Sequence, residues 1–229
     1  MAHHRAESAP IFRSQAKPEA ALEPRRVRFV DDAALLRGVR AGNPIAMAEF
    51  HQRFARRVQR ILRGILGPDH ELLDLHQDVF VRALKSIATL KEPDALSGWI
   101  DAIAVHTARS TLEKRISRRR WLIPSRARSA TAHEHEASSP DPAGALDARQ
   151  ALRAVFVVID QLPVPERVAF GLRFVQGLEL SEVAEACQVS LATIKRRLAH
   201  AQIRFTRLAQ RSPVLAELMK KEEPGWARR

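Results

Sequence analysis

The chain contains no tyrosine and a single cysteine, Cys187, among its 229 residues. One cysteine excludes an internal disulfide and a zinc site built from several cysteines. Because Cys187 lies on the apolar face of a predicted helix, we expect a buried thiol rather than a reactive one. Sustained alternation of apolar and polar residues is also absent, which predicts an all-α fold.

Long apolar runs are missing as well. No stretch of about 20 apolar residues is present that could cross a membrane. The opening MAHHRAESAPIFRSQ lacks the apolar core of a signal peptide. We therefore expect a cytoplasmic protein with no membrane insertion.

The usual signatures of catalysis are absent from the sequence. It has no glycine-rich phosphate loop, no metal-ligand spacing and no nucleophile elbow. The stretch His133-Glu134-His135-Glu136 lacks the i, i+4 histidine pair of a zinc helix, so we interpret it as solvated. We expect no catalytic residue, no cofactor and no metal, which makes an enzyme the least favoured class of protein.

Positive charge is what the chain has in excess. It carries 38 lysines and arginines against 26 acidic residues, a formal net charge of +12, and its pI is about 11.1. Such a protein is attracted to polyanions at long range, and each phosphate contact releases counterions. Nucleic acid is therefore the favoured partner.

Composition divides the chain into five segments. Residues 1–30 mix Pro, Ala, Glu and Arg without a period and predict a disordered tail. Residues 31–123 and 148–210 are helical by pattern, and residues 124–147, rich in Ser, Ala and Pro, predict a flexible linker between two helical domains. Residues 211–229 form a C-terminal tail.

Residues 180–208 have the pattern of a helix-turn-helix. Ser181 is a candidate N-cap of a short helix, Gln188-Val189-Ser190 a turn, and Ser190 the cap of a longer helix. The longer helix has an apolar stripe at spacings of four and three, and its cations lie mostly off that stripe. They are Lys195, Arg196, Arg197, His200 and Arg204. This arrangement predicts a helix that enters a major groove; a helical hairpin with a solvated basic face is the alternative.

The first helical segment predicts three helices of some length. The first follows Asn43-Pro44 and ends at Gly67-Pro68; the second, from about Asp69 to Ile87, is expected to bury an apolar side that includes Leu72, Leu73 and Phe80. Asp74, Gln77 and Asp78 share the opposite face of the second helix. In so basic a chain this acidic face favours a basic protein partner, with a plain solvated face as the alternative.

The third helix, predicted from about Asp94 to Arg120, ends in a basic run. The run comprises Lys114, Arg115, Arg118, Arg119 and Arg120. Cations offset the dipole at a helix C-terminus, but five within seven residues exceed that need. We therefore favour contact with phosphate.

Four segments together resemble one family. Asp74-Leu75-His76-Gln77-Asp78-Val79-Phe80-Val81-Arg82-Ala83-Leu84 looks like "DLVQEVFLRAW", and Leu96-Ser97-Gly98-Trp99-Ile100 resembles "FRAWL". Gln161-Leu162-Pro163 through Arg167 resembles "LPxxxR", and Val189 through Leu198 resembles "VSxGTVKSRL". In this order they are similar to the extracytoplasmic-function group of bacterial RNA polymerase sigma factors.

The resemblance implies a fold and a function. The two helical domains would be a sigma region 2 bundle and a sigma region 4 helix-turn-helix, joined by the linker. Such proteins bind core RNA polymerase, select a promoter and help to melt it. The implied partners are the clamp helices of the largest polymerase subunit, the flap of the second-largest subunit and promoter DNA. Whether an anti-sigma factor binds the chain stays open at this point.

The resemblance also assigns residues. Asp74, Gln77 and Asp78 would meet the clamp helices. The minus-ten element would be held by Trp99, His106, Arg109, Lys114, Arg115, Arg118 and Arg119. The minus-thirty-five element would be read by Lys195, Arg196, Arg197, Ala199, His200 and Arg204. The linker would thread toward the polymerase active site and RNA exit path.

Two departures from the family pattern affect these expectations. Val105-His106 replaces the usual Arg-Asn, so a different minus-ten preference is expected. Cys187-Gln188 replaces the usual Leu-Gly, and a positive φ at Gln188 would cost roughly 1 kcal/mol. A transcription regulator that binds DNA alone through residues 180–208 is the rival reading; it leaves the acidic face without a role.

Overall fold

The structure is a computed structural model that describes residues 31–121 and 142–221, with side chains described for 31–118 and 149–219. Across these ranges every regular element is helical and none is a strand, which confirms the all-α prediction. The predicted tail 1–30, most of the predicted linker and the histidine-rich stretch at 133–136 lie outside the described residues.

Four helices form the N-terminal region. They are α1 (Asp32–Arg40), α2 (Pro44–Leu66), α3 (Leu72–Ser86) and α4 (Leu96–Trp121), with short 3₁₀ turns at Ile87–Thr89 and Pro93–Ala95. Five helices form the C-terminal region. They are α5 (Pro142–Ile159), α6 (Val164–Phe170), which continues into a π-helical turn at Gly171–Val175, α7 (Leu180–Ala186), α8 (Leu191–Ala209) and α9 (Pro213–Lys221).

The first of the three helices predicted in the N-terminal region starts and stops where the sequence indicates. The Asn43 side chain accepts hydrogen bonds from the backbone N–H groups of Ile45 and Ala46, and Pro44 takes the first helical position. Gly67, at φ +81°, ends α2. The apolar stripe of α2 is buried, and the Phe50 ring meets the Phe80 ring edge-on at 5.7 Å.

Leu73 corrects one sequence expectation. It was assigned to the buried side of its helix, but it is 74% exposed. The helix begins at Leu72 rather than Asp69, so Leu73 lies in its first turn, at the edge of the face that carries Asp74 and Gln77. No neighbouring helix covers this edge.

In the C-terminal region the predicted helix-turn-helix is present as α7 and α8. Ser190 caps α8 by accepting a hydrogen bond from the Thr193 N–H. The cap of α7 differs from the prediction: it is Glu179 instead of Ser181, because Glu179 and Glu182 form a reciprocal capping box. Gln188 has φ +54°, the left-handed conformation expected from the missing glycine.

Two helices extend beyond the expected boundaries of their segments. Helix α5 begins at Pro142, inside the segment predicted to be linker; proline suits a first helical position and the alanines that follow favour a helix. Helix α9 lies in the predicted C-terminal tail, and its Leu215 is buried against Val158 and Phe205. Leu215 and Met219, four residues apart, form the apolar side of this helix.

The two regions pack against each other along an interregion seam, where α2 and α4 contact α6, the π-helical turn and α7. Gly171 lies so close to α2 that a Cβ there would overlap the Gly64 carbonyl oxygen. Arg167, 6% exposed, donates from Nε to the Ile65 carbonyl at 2.8 Å and from Nη2 to the Leu66 carbonyl at 3.1 Å. It thereby satisfies carbonyls that the end of α2 leaves without partners.

One apolar cluster crosses this seam. It runs from Leu35 in α1 through Leu112 in α4 to Ile194 and Leu198 in α8. A second, smaller cluster belongs to the C-terminal region alone, where Phe170 stacks on Phe205 at 4.9 Å. The larger apolar core is therefore built from both helical regions.

Candidate protein and nucleic-acid interfaces

The exposed side of α8 carries four of the residues predicted to read DNA. Lys195, Arg196, Ala199 and His200 are all exposed, while Ile194 and Leu198 on the other side are buried. Within the described residues, Lys195 and Arg196 form no salt bridge. Spacings of one and four place all four side chains on one face, so they can enter a groove together. Arg197 is half-buried at the edge of this face.

Arg204, the last predicted residue of α8, is held by a carboxylate that sequence reasoning missed. Its Nε lies 3.1 Å from Oε2 of Glu166, which is 8% exposed. His200 Nδ1 lies 4.0 Å from the other oxygen, Oε1. Glu166 belongs to α6, and no local pattern connects it with Arg204, which lies more than thirty residues further along the chain in α8.

The basic run at the end of α4 is divided between two environments. Arg115 forms ion pairs with Asp69 and Glu71. Burial would raise the pKa of Asp69, but hydrogen bonds from Arg115 and from the Glu71 N–H outweigh it and lower that pKa. Arg115 is thus engaged within the N-terminal region.

Lys114 and Arg118 lie next to Arg115 on α4, at one surface groove. Both are exposed, and they line a groove of about 260 Å³ together with Asp74 and Asp78 of α3. The structure therefore brings the predicted phosphate-binding cations and the predicted polymerase-binding carboxylates to one surface. The side chain of Arg119 lies outside the described residues.

The remaining predicted minus-ten residues lie nearer the start of α4. Trp99 is half-buried against the shared core. His106 is exposed, and Arg109 is exposed but pairs with Glu113 at 2.8 Å. The side of α4 that carries Gly98 faces the C-terminal region, because a Cβ on Gly98 would overlap the Glu185 carboxylate of α7.

Cys187 connects this side of α4 with the turn of the helix-turn-helix. Burial raises the pKa of its thiol to about 11, and the charges of Arg197 and Arg109 oppose that rise. Arg109 belongs to α4 and Arg197 to α8, so the charges of both predicted DNA-binding helices act on Cys187, which packs against the larger apolar cluster. The expectation of an unreactive thiol agrees with this environment.

The acidic face of α3 is open to solvent. Asp74, Gln77 and Asp78 are exposed, and the large apolar side chains Leu73 and Val81 border them at 74% and 47% exposure. Exposed leucine and valine beside carboxylates form a mixed surface suited to a protein partner. Sequence reasoning found the charged part of this surface and placed one of its two apolar residues, Leu73, in the core.

Residues 31–121 and 142–221 lack two further features. None of the helices there is long and apolar enough to cross a bilayer. The same ranges contain no group of three or more His, Cys, Asp or Glu side chains that could hold a metal ion.

Comparison with known proteins gives the class of protein that this fold and these surfaces define. The family model "Sigma-70 region 2" matches residues 50–121, and "Sigma-70, region 4" matches residues 152–201. The chain therefore belongs to the sigma-70 family of RNA polymerase sigma factors, with two domains that correspond to regions 2 and 4.

Individual relatives narrow the family to one group. The chain is 25% identical over 173 residues to the ECF RNA polymerase sigma-E factor of Haemophilus influenzae, which covers 75% of this chain and 91% of that protein. It is 25% identical over 183 residues to RNA polymerase sigma factor NccH of Alcaligenes xylosoxydans xylosoxydans, covering 80% and 97%. The chain is an alternative sigma factor of the extracytoplasmic-function group, which directs RNA polymerase to promoters.

A solved structure supports the fold. CnrH, in complex with the cytosolic domain of CnrY, superposes with a TM-score of 0.54 at 18% identity, covering 79% of this chain and 98% of that one.

Proposed function

We propose that this sigma factor binds core polymerase through α3 and promoter DNA through α8 and α4. The observation that carries the proposal is the exposed basic face of α8 in a protein whose α3 presents an acidic and apolar face. DNA-reading cations without a polymerase-binding surface would suit the rival stand-alone regulator. The mixed face of α3 has a role only when a protein partner is part of the complex.

The contact with polymerase is proposed for Asp74, Gln77 and Asp78, with Leu73 as an apolar addition. Exposed ion pairs are individually weak, so the carboxylates mainly speed association with polymerase and fix the orientation of the complex. Burial of Leu73 against the clamp helices of the largest subunit adds the larger share of affinity, roughly 1.5–3 kcal/mol for a leucine that becomes fully buried. The C-terminal region is proposed to meet the flap of the second-largest subunit.

The contact with DNA is proposed to combine reading and positioning. Lys195, Arg196, Ala199 and His200 read the minus-thirty-five element, where an arginine bidentate to guanine gives the strongest discrimination. Lys114 and Arg118 contact phosphates beside the minus-ten element. Trp99 and His106 stand where unstacked bases of the melted strand can stack on them.

The compact conformation must open for this complex to form. Elements centred about 25 base pairs apart lie about 85 Å apart along B-DNA, at about 3.4 Å per base pair. Helix α8 packs on α7, and α7 on α4, which places the two DNA-binding helices only about 20 Å apart at roughly 10 Å per helix packing. Residues 122–141 can span up to about 70 Å when extended, so they can supply most of this separation, and the helices on either side must supply the rest.

A regulatory protein partner is also proposed. The structure similar to this chain contains CnrH together with the cytosolic domain of CnrY, which supports an anti-sigma factor as a further partner. The proposed role is non-enzymatic and lies in the cytoplasm, where polymerase and chromosome are.

The experiment that tests the function is run-off transcription by purified core polymerase over a randomised promoter pool, with and without the full chain. We expect a selected pair of upstream and downstream elements that depends on the chain. The variant Asp74→Ala/Asp78→Ala should weaken co-elution with core polymerase, and Leu73→Ala should weaken it further; Arg60→Ala, an exposed change on α2, is the matched control. Nanomolar promoter binding by the chain alone, without polymerase, would instead support the stand-alone regulator.

A further inference from the structure

Glu166 has a local environment that the proposed function does not explain. It is 8% exposed, and its Oε2 atom is fully buried without an aligned hydrogen bond. A carboxylate removed from water is costly unless an opposite charge compensates it. Among the described residues, compensation comes from Arg204 and, at a longer distance, His200. Both belong to the DNA-reading helix.

The contact with Glu166 determines which atoms of Arg204 remain available to a ligand. Its Nε lies 3.1 Å from Glu166 Oε2, while the side chain as a whole stays 56% exposed. A guanidinium held at Nε still has the donors of its two terminal nitrogens, in a fixed planar fork. The ion pair with the buried carboxylate therefore draws the Nε side of the guanidinium toward α6, and the Arg204 side chain remains 56% exposed.

From this geometry we propose that Glu166 is a positioning residue for promoter recognition: it holds Arg204 so that the terminal nitrogens of the guanidinium face the DNA. This inference rests on the proposed reading of the minus-thirty-five element by α8. An unrestrained arginine must lose rotamer freedom when it binds, whereas the ion pair with Glu166 limits the freedom of Arg204 beforehand. The site takes a phosphate or a guanine edge, which are the planar or bidentate acceptors that an arginine fork matches.

A double-mutant cycle with a conservative control tests the inference. The probe is a duplex promoter selected by the wild-type holoenzyme from a randomised pool, and the proteins are full-length chain, Glu166→Gln, Arg204→Ala, the double variant and Arg204→Lys, each assembled with core polymerase. Glutamine keeps the shape of Glu166 and removes its charge. Lysine keeps the charge of Arg204 and removes Nε.

We expect Glu166→Gln to weaken promoter binding roughly three- to tenfold, the value of one pre-immobilised side chain. The double variant should bind no more weakly than Arg204→Ala alone, since Glu166 acts only through Arg204. Arg204→Lys should lose at least as much as Glu166→Gln, because lysine lacks both the Nε that faces Glu166 and the planar fork that faces DNA. That variant leaves Glu166 untouched, so it tests the inference even if Glu166→Gln folds poorly.

Three results would overturn the inference. One is additive losses in the double variant, which would show that Glu166 serves the packing of α6 on α8. Another is full activity of Arg204→Lys, which would show that only a point charge is needed. The third is tighter binding by Glu166→Gln with steeper salt dependence, which would show that Glu166 withholds Arg204 from DNA. If the wild-type holoenzyme selects no upstream element, the proposed function fails and this inference fails with it.

Discussion

On α8, the cations predicted to read DNA project from a helix whose opposite side is buried, and Lys195 and Arg196 form no salt bridge with any described residue. On α4, Arg109 and Arg115 are already paired with carboxylates, and Trp99 is half-buried. The surface for the duplex is therefore open in the compact protein, whereas the surface for the melted strand adjoins the seam. The difference indicates that opening of the seam mainly controls access to the surface on α4.

The seam itself offers the largest expected effect. Gly171→Ala adds a Cβ that would overlap backbone atoms of Gly64 and Ile65, all in the N-terminal region, so closure should be blocked while the C-terminal region keeps its fold. Cys187, the chain's one thiol, reports the change. Because burial holds the pKa of Cys187 at about 11, we expect alkylation by iodoacetamide at pH 8 to accelerate about tenfold or more as its thiolate fraction rises.

Gly98→Ala is the matched control. Its Cβ would meet only the end of the flexible Glu185 side chain, which can turn away, so alkylation of Cys187 should hardly change. Equal rates in both variants and the wild-type protein would show that the seam is not closed in solution.

The next prediction separates reading from positioning. Arg196→Ala should cost about 1–3 kcal/mol of promoter binding and relax the base preference at one upstream position. Arg118→Ala should weaken binding evenly across sequences and reduce the salt slope by about one. Selection from a promoter library with each variant holoenzyme measures both effects. If Arg196→Ala weakens binding equally for all sequences, the residues that read bases lie about one helical position away from those assigned here.

Gln188 gives a smaller, purely conformational effect. It has φ +54°, a conformation that costs an L-residue about 1–2 kcal/mol and glycine much less. Substitution by glycine removes this cost, but the larger entropy of glycine in the unfolded chain offsets part of the gain in stability. We expect Gln188→Gly to stabilise the protein by about 0.5–1 kcal/mol, and thermal unfolding would show a Tm higher by about 1–4 °C. Gln188→Ala should give no gain, and a gain equal to that of glycine would argue against backbone strain.

The smallest predicted effect concerns Asp69, which forms an ion pair with Arg115. Its pKa is lowered in the folded protein, so its contribution to stability is complete above the ordinary aspartate value of about 3.9 and is lost as the pH falls below that value. Urea unfolding of the wild-type protein and Asp69→Asn should differ by less than about 1 kcal/mol at pH 7. The difference should shrink toward pH 2; a constant difference would show that the charge of Asp69 is not involved.

Local patterns predicted much of the fold. Asn43-Pro44 and Gly67 marked the ends of α2, and the stripe with Ile194 and Leu198 marked α8, because caps and helical periodicity act within a few residues. The positive φ of Gln188 followed from the departure from glycine. The exposed acidic face of α3 was visible at i, i+3 and i+4.

What the sequence did not show depends on residues far apart in the chain. The pairing of Glu166 with Arg204 joins two helices, and that of Arg115 with Asp69 joins α4 to the segment before α3. No local period encodes either contact. Leu73 was placed in the core because periodicity cannot tell that the first turn of α3 lacks a neighbour. The shared core was missed because a linker of suitable composition predicts that two domains are connected, and says nothing about whether they touch.

Arg167 also has a consequence for synthesis of the chain. The Leu66 carbonyl that it caps precedes it by 101 residues, and a ribosome adds about 5–20 residues per second. For roughly 5–20 s the newly made N-terminal helices therefore exist without the arginine that completes the end of α2. During that interval the nascent protein presents the face of α4 that the helix-turn-helix later covers. That face of α4 is therefore most accessible before translation ends, and the interregion seam closes once the chain is complete.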